Sequence, residues 1–296
     1  MVHGSVFSGL GGFDLAAQWM GWRNQFYCEL DPFCRRILKY YWPDAEENTD
    51  IKEFNAVKFR GMVDVLTGGF PCQPFSLAGQ KKGTADNRYL WPEMLRIIRQ
   101  LQPRWVVAEN VPGLLNWRRG LVFQQVQADL ENSGYQVAPV VLPACAVGAP
   151  HLRYRIWFVA YAYKFGQLGH QEPTQGFNVV DWRHAFSNIN VDGARRQATD
   201  TYGEGLQRPP SERPSPQAGR SGWGDPVRTW DSWPTQSPVC SRDDGIPRDL
   251  DAITFSAWRT QSIHALGNAI VPQVAYQIFR SIEAIEKITA GLPGGG

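Results

Sequence analysis

Short β-like runs alternate with helical patterns from residue 4 to about 161, and this alternation is what most narrows the fold of the chain. Ser5-Val6-Phe7 reads as a strand entering a glycine-rich turn, then a helix from Asp14 to Met20 with Gly21 as its stop. Asp31-Pro32 reads as an N-cap followed by proline at the first helical position, opening a helix through about Tyr41. Val63–Leu66 and Trp105–Ala108 read as buried strands. Between them Pro92 opens a helix with Met94, Ile97, Ile98 and Leu101 at helical spacing. Leu121–Asn132 is helical and stops near Gly134, and Val137–Leu142 and Arg155–Ala160 read as further strands. The fold class expected is α/β: a doubly wound, mostly parallel sheet with helices on both faces.

The pattern lapses at about Tyr163. Between 209 and 247 there are eight prolines, yet Trp182, Trp223, Trp230 and Trp233 supply aromatic anchors that a plain linker rarely has. Nine arginines and no lysine fall between 183 and 248, and arginine suits bidentate contacts to bases and phosphates. A small irregular domain over 163–250 is therefore expected between a catalytic and cofactor-binding domain, 1–162, and a returning segment, 251–296. In that last segment Pro272 starts a helix striped by Val274, Ile278, Ile282 and Ile285.

Composition narrows the setting. The five cysteines are odd in number and include no C-x-x-C pair, which argues against a disulfide framework or zinc ribbon and for a reducing compartment. Neither a long apolar run nor a secretory leader is visible, so no membrane partner and a cytoplasmic location are expected. Net charge is only +2, but residues 58–119 hold ten Lys/Arg against four Asp/Glu, where a polyanion would be met most favourably.

Four constellations carry chemistry. Phe7-Ser8-Gly9-Leu10-Gly11-Gly12 lies between a strand and a helix, where glycines let a ligand approach the backbone at a helix N-terminus; a tight structural turn would use the same residues. Glu29, 20 residues after Gly9, stands where an acid would bind a ribose, and Asp50 with Ile51 could hold an adenine, although Asp50 taken alone reads as a capping aspartate. Cys72, between Pro71 and Pro74 after the strand Val63–Leu66, belongs at the carboxyl edge of the sheet as a presented nucleophile, against the alternative of a buried small hydrophobe. Glu109-Asn110 follows Trp105–Ala108 at the same edge, where a glutamate in a partly apolar site can share a proton with a ring nitrogen, against the alternative of a plain surface charge. His151-Leu152-Arg153-Tyr154-Arg155 places two arginines at i and i+2, able to clamp an anion or to form an edge charge pair.

In this order the motifs FSGLGG, Glu29, Asp50-Ile51, PCQPFS, ENV, H-x-R-x-R and Gly267-Asn268-Ala269-Ile270-Val271-Pro272 resemble the DNA cytosine-5 methyltransferases of prokaryotic or phage type. The resemblance implies S-adenosylmethionine as cofactor, held by Phe7, Gly9, Leu10, Gly12, Glu29, Asp50, Ile51, Pro71, Leu90, Asn268 and Ala269. It implies a cytosine flipped out of double-stranded DNA, with Cys72 adding to C6, Glu109 at N3, Asn110 fixing the turn, and Arg153 and Arg155 orienting the carboxylate and the base. Gln73, Ser76, Arg88 and His151 would contact the substrate, the 76–89 loop would close behind the base, and 163–250 would read the sequence. A cognate restriction endonuclease is a partner this resemblance admits, and a monomer is the default state. No metal site is implied.

The chain departs from the family pattern at His151, where glutamine is usual, and it is one residue shorter than usual between Arg88 and Leu90. The rival readings are an RNA cytosine-5 methyltransferase on the same motifs and a non-catalytic cofactor-binding regulator; the latter would be expected to have lost Cys72, Glu109 or the arginines. A disulfide oxidoreductase is disfavoured, because Cys72 has no resolving cysteine nearby in sequence.

Overall fold

The computed structural model describes residues 1–71, 89–149, 151–162 and 255–289. Seven strands form one sheet in the order β3-β2-β1-β4-β5-β7-β6. They are β1 (Val2–Val6), β2 (Arg23–Cys28), β3 (Glu46–Asn48), β4 (Val65–Gly69), β5 (Trp105–Asn110), β6 (Tyr135–Pro143) and β7 (Tyr154–Ala162). From β3 to β5 every pairing is parallel, whereas β7 runs antiparallel to both β5 and β6. The six α-helices described are α1 (Gly12–Trp19), α2 (Pro32–Tyr41), α3 (Trp91–Leu101), α4 (Leu121–Asn132), α5 (Phe255–Asn268) and α6 (Pro272–Thr289).

The helices cover both faces, as the alternation predicts. On one face Phe13, Ala16 and Ala17 of α1 and Val274, Ile278, Phe279 and Ile282 of α6 pack on Val65, Val107, Trp157 and Val159. On the other, Met94, Ile97, Ile98 and Leu101 of α3 and Val126 and Leu130 of α4 pack on Leu66, Val106 and Phe158. Phe279 also stacks on Trp22 at 4.7 Å between ring centroids, so truncating it to alanine would cost about 3–5 kcal/mol. Helix α2 begins as its sequence demands: the Asp31 carboxylate accepts from the amides of Phe33 (2.7 Å) and Cys34 (3.2 Å), with Pro32 at the first helical position.

Four details differ from the sequence expectation. Strand β4 starts at Val65 rather than Val63 and runs on to Gly69, carried by its ladder to β1 and β5. Strands β2 and β3 are unforeseen, because RNQFYC and EEN show no clean alternation and become strands through pairing beside β1. Phe7 leaves β1, its φ of 53° turning the chain away at the strand's end. Helix α5 is also unforeseen: its apolar residues do not gather on one stripe, and tertiary contacts of Trp258 and Ala265 with Leu10, Phe33 and Ile37 fix it.

Candidate active site

The carboxyl ends of β1, β2, β4 and β5 open into one cleft of about 620 Å³. Its first half is made from the glycine-rich turn and the end of β2. Gly9 has φ +55°, and no atom lies within 4 Å of where its side chain would stand, so the backbone faces the cleft uncovered. The Gly9 amide donates to Glu29 Oε2 at 2.7 Å and the Asp31 amide donates to Oε1 at 2.8 Å. Glu29 is thus aimed by main-chain donors, and burial pushes its pKa upward against them. Gly12 is closed rather than open: an added Cβ would stand 2.6 Å from Ile270 Cγ1. Leu10 is buried against Phe33, Ile37 and Trp258, so it shapes the wall from behind.

The neighbouring wall is the turn after β3. The Asp50 carboxylate accepts from the Lys52 amide at 2.9 Å, and its carbonyl accepts from Phe54 N at 2.9 Å; the aspartate therefore caps a turn while also facing the cleft. Ile51 is 5% exposed, and Phe7, Phe70, Pro71, Leu90 and Val111 share the apolar lining with it.

The second half gathers around Glu109 at the end of β5. Its Oε1 lies 2.9 Å from Arg155 Nε of β7. The antiparallel register pairs Glu109 with Trp157, so Arg155, two residues earlier, leaves the same face of the sheet. Oε2 lies over Gly69, 3.2 Å from the point a Cβ would occupy, a space that only glycine leaves clear. Burial pushes the Glu109 carboxyl up to about 7, opposed by the positive charges of Arg155 and Arg153. Asn110 Nδ2 donates to the Phe70 carbonyl at 3.1 Å while its Oδ1 accepts from Val111 N at 2.8 Å, tying the chain just before Pro71 to the end of β5.

Arg153 does not enter the cleft. Its guanidinium donates to the carbonyls of Gly267 (3.1 Å) and Ala269, from a backbone with φ 27°. It acts on Glu109 by charge alone and braces the turn between α5 and α6, where Asn268 faces the cleft and Ala269 packs toward Leu10. His151 is exposed, outside the cleft. Among the described residues the lining holds Glu29, Asp31, Asp50 and Glu109 against Lys52 and Arg155, an excess of acidic side chains that favours a cationic ligand.

The model of the C-5 cytosine-specific DNA methylases matches residues 1–201. The chain belongs to this family. Among curated methylases it is similar to the type II methyltransferase M2.BsuMI of Bacillus subtilis, 31% identical over 64% of this chain and 51% of the relative. It is also similar to M.AquIA of a Picosynechococcus strain, 33% identical over 58% of this chain and 76% of the relative. The chain thus spans about half the length of the first of these relatives. The solved methyltransferase EhMeth of Entamoeba histolytica shares the fold, with a TM-score of 0.57 over 95% of this chain and 97% of that one at 14% identity. Methylases of this family take their methyl group from S-adenosylmethionine.

Of the site residues expected from the sequence, eleven line the cleft: Phe7, Gly9, Glu29, Asp50, Ile51, Pro71, Leu90, Glu109, Asn110, Arg155 and Asn268. Cys72, Gln73, Ser76 and Arg88 lie outside the described residues, as does 163–250. Sequence reasoning missed Cys28, Cys34, Thr49 and His264, which also face the cleft. A signal existed for His264, one helical turn before Asn268, whose side-chain amide donates to the His264 carbonyl at 3.3 Å. Cys28 and Cys34 carried none, since a buried cysteine in a wall looks like any core cysteine.

Proposed function

We propose that the protein methylates C5 of a flipped-out cytosine in a short duplex DNA sequence, with S-adenosylmethionine as the donor. The observation that carries this reading is the Glu109–Arg155 pair at 2.9 Å sharing one cleft with Gly9 and Glu29, next to the Pro71 that leads into Cys72. The cleft fits the donor: an open glycine backbone, a carboxylate aimed by amides, an apolar wall at Ile51 and an excess of carboxylates around a sulfonium cation. Phe7, Gly9, Glu29, Asp50, Ile51 and Asn268 would hold it. When bound, it supplies an electrophilic methyl carbon.

The chain's own part is to make C5 nucleophilic. Cys72, as thiolate, forms a bond from sulfur to C6, and the electron pair of the C5–C6 double bond moves to C5 as an enamine; once C5 is methylated, loss of its proton to solvent re-forms that double bond and expels the thiolate. Glu109 meets N3 with Oε2, which stands over Gly69, and a carboxyl lifted to about 7 can hold the proton that this nitrogen needs. Arg155 fixes the carboxyl and orients the base, and Asn110 holds the strand end from which residue 72 continues. The basic stretch from Lys81 to Arg88 would close over DNA phosphates, and 163–250 would serve as the target-recognition domain between 1–162 and 251–296.

Among the described residues no helix is long and apolar enough to cross a membrane. A cytoplasmic monomer, paired with a restriction endonuclease as the type II names of its relatives suggest, is the setting proposed. The test is bisulfite sequencing of DNA from cells expressing the protein, beside a Cys72→Ala control. One short motif protected only by the intact protein supports the reading. Methyl transfer to transfer RNA without any to duplex DNA overturns its substrate.

A further inference from the structure

Beneath the glycine-rich turn lies a buried polar cluster for which the methylation chemistry has no use. It comprises His3 and Ser5 of β1, Ser8 of the turn, Asp14 in the first turn of α1, and Asn24 and the Cys28 carbonyl of β2. His3 and Ser5 are fully buried and Asp14 is 1% exposed. Asp14 Oδ1 lies 2.9 Å from Ser5 Oγ, Ser5 Oγ lies 2.7 Å from Ser8 Oγ, and Ser8 Oγ lies 3.3 Å from the Cys28 carbonyl oxygen.

Counting protons along this chain shows a deficit. The carbonyl can only accept, and each serine has one proton, so two protons serve three contacts. With Asp14 ionised, Ser5 donates to it and Ser8 to Ser5, so the Ser8 hydroxyl is withdrawn from the Cys28 carbonyl, which keeps the Ser8 amide at 3.3 Å. With Asp14 protonated every contact has its donor: the acid donates to Ser5, Ser5 to Ser8, and Ser8 to the carbonyl.

Among the described residues no Lys or Arg pairs with Asp14, and the donors that favour its charge are Ser5 Oγ and its own amide in the first turn of α1. His3 Nδ1 is 3.9 Å away, but it is 2.7 Å from Asn24 Oδ1, whose amide nitrogen already donates to the Asp14 carbonyl at 3.0 Å. His3 Nδ1 is therefore a donor to Asn24, and Nε2, 2.9 Å from Thr67 Oγ1, accepts in a neutral ring. Burial lowers His3 to about 4, which agrees with that assignment. The other titratable group toward Asp14 is the Tyr27 phenol of β2, which donates to Glu47. Helix α6 contributes Phe279, packed on His3 and Phe13. Asp14 Oδ2 is buried without a hydrogen-bond partner, a position an ionised oxygen would occupy at high cost.

We propose that Asp14 is a positioning residue carried as the neutral acid, its proton completing the chain through Ser5 and Ser8 that locks the glycine-rich turn to the end of β2. That lock sets Gly9 against Glu29, and through this the proposal rests on the reading of the cleft as the S-adenosylmethionine site. Burial lifts the Asp14 carboxyl to about 7, so the proton is lost as pH rises through neutrality and the turn loosens.

Two measurements on the full chain test this. In the free protein, NMR of the Asp14 carboxyl carbon should report a protonated acid until about neutral pH; titration in the ordinary carboxylate range overturns the proposal. Calorimetric titration with S-adenosylmethionine should show affinity falling roughly tenfold between about pH 6 and about pH 8.5. Asp14→Asn, whose amide donates to Ser5 and cannot titrate, should bind with no such fall. Ser5→Ala, which cuts the chain, should bind weakly at both values. An Asp14→Asn protein as pH-dependent as the parent overturns the proposal. Failure of the parent to bind at any pH overturns the reading of the cleft, and the positioning role with it, while the NMR titration still decides the protonation state.

Discussion

The two halves of the cleft are built in different ways. In the parallel half, around β1 and β2, main-chain groups do the positioning: the amides of Gly9 and Asp31 aim Glu29 from within about one turn of sequence on either side of the strand ends. In the other half the positioning is by side chains from distant strands. Arg155 reaches Glu109 only because β7 is antiparallel to β5, which brings the start of one strand beside the end of the other. A parallel β7 would carry Arg155 to the opposite edge of the sheet, some six residues of strand away at about 3.3 Å each. Backbone positioning suits a cofactor bound in one pose; an ion pair at a sheet edge suits a group that must exchange a proton.

If the halves are separable in this way, substitutions should divide cleanly between chemistry and cofactor binding. Cys72→Ala has the largest expected effect: methyl transfer to DNA should be abolished while S-adenosylmethionine binding by calorimetry stays near normal. Next, Glu109→Ala should slow single-turnover transfer by about 10²–10⁴-fold with cofactor affinity unchanged, since it removes the group proposed to share a proton with N3. Glu29→Ala should do the reverse, weakening cofactor binding by about 10–100-fold, equivalent to 1.4–2.7 kcal/mol, with the rate restored at saturating donor. An equal loss of affinity in the Glu109 and Glu29 variants would break the division.

Smaller effects would sharpen it. Arg155→Ala removes the nearer positive charge that opposes the burial of Glu109, so the carboxyl should rise further above about 7 and the alkaline limb of the pH–rate profile should move up. In the parent, Glu109 holds its proton more tightly folded than unfolded. Its contribution to stability is therefore full below the ordinary carboxylate range and lost as pH rises through about 7, which denaturant titrations across that window would show. Gly69→Ala is the mildest: a Cβ 3.2 Å from Glu109 Oε2 must displace the carboxylate slightly, giving a several-fold loss in rate and no change in cofactor affinity.

How legible each part was follows from the range of the interactions. The strand–glycine turn–helix unit, the Asp31-Pro32 helix start and the spacing of Glu29 from Gly9 are local patterns, and all three hold in the structure. Strands β2 and β3 were not legible, because polar segments become strands only when a neighbour supplies the ladder. Nor was the bracing of the Gly267–Ala269 turn by Arg153, 114 residues earlier at its nearest contact.

By itself the sequence determined the β/α alternation, the glycine-rich turn, the acids at the strand ends and the order of motifs that places the chain among the C-5 cytosine-specific DNA methylases. These depend on backbone torsions and short spacings, which neighbouring residues dictate. Only the tertiary structure decided that β7 turns back, that Arg155 meets Glu109 while Arg153 braces a distant turn, and that among the described residues Asp14 Oδ2 lies buried without a hydrogen-bond partner. Those outcomes depend on which strands pair and in which direction, and on how much water the packed helices exclude. No local spacing encodes either.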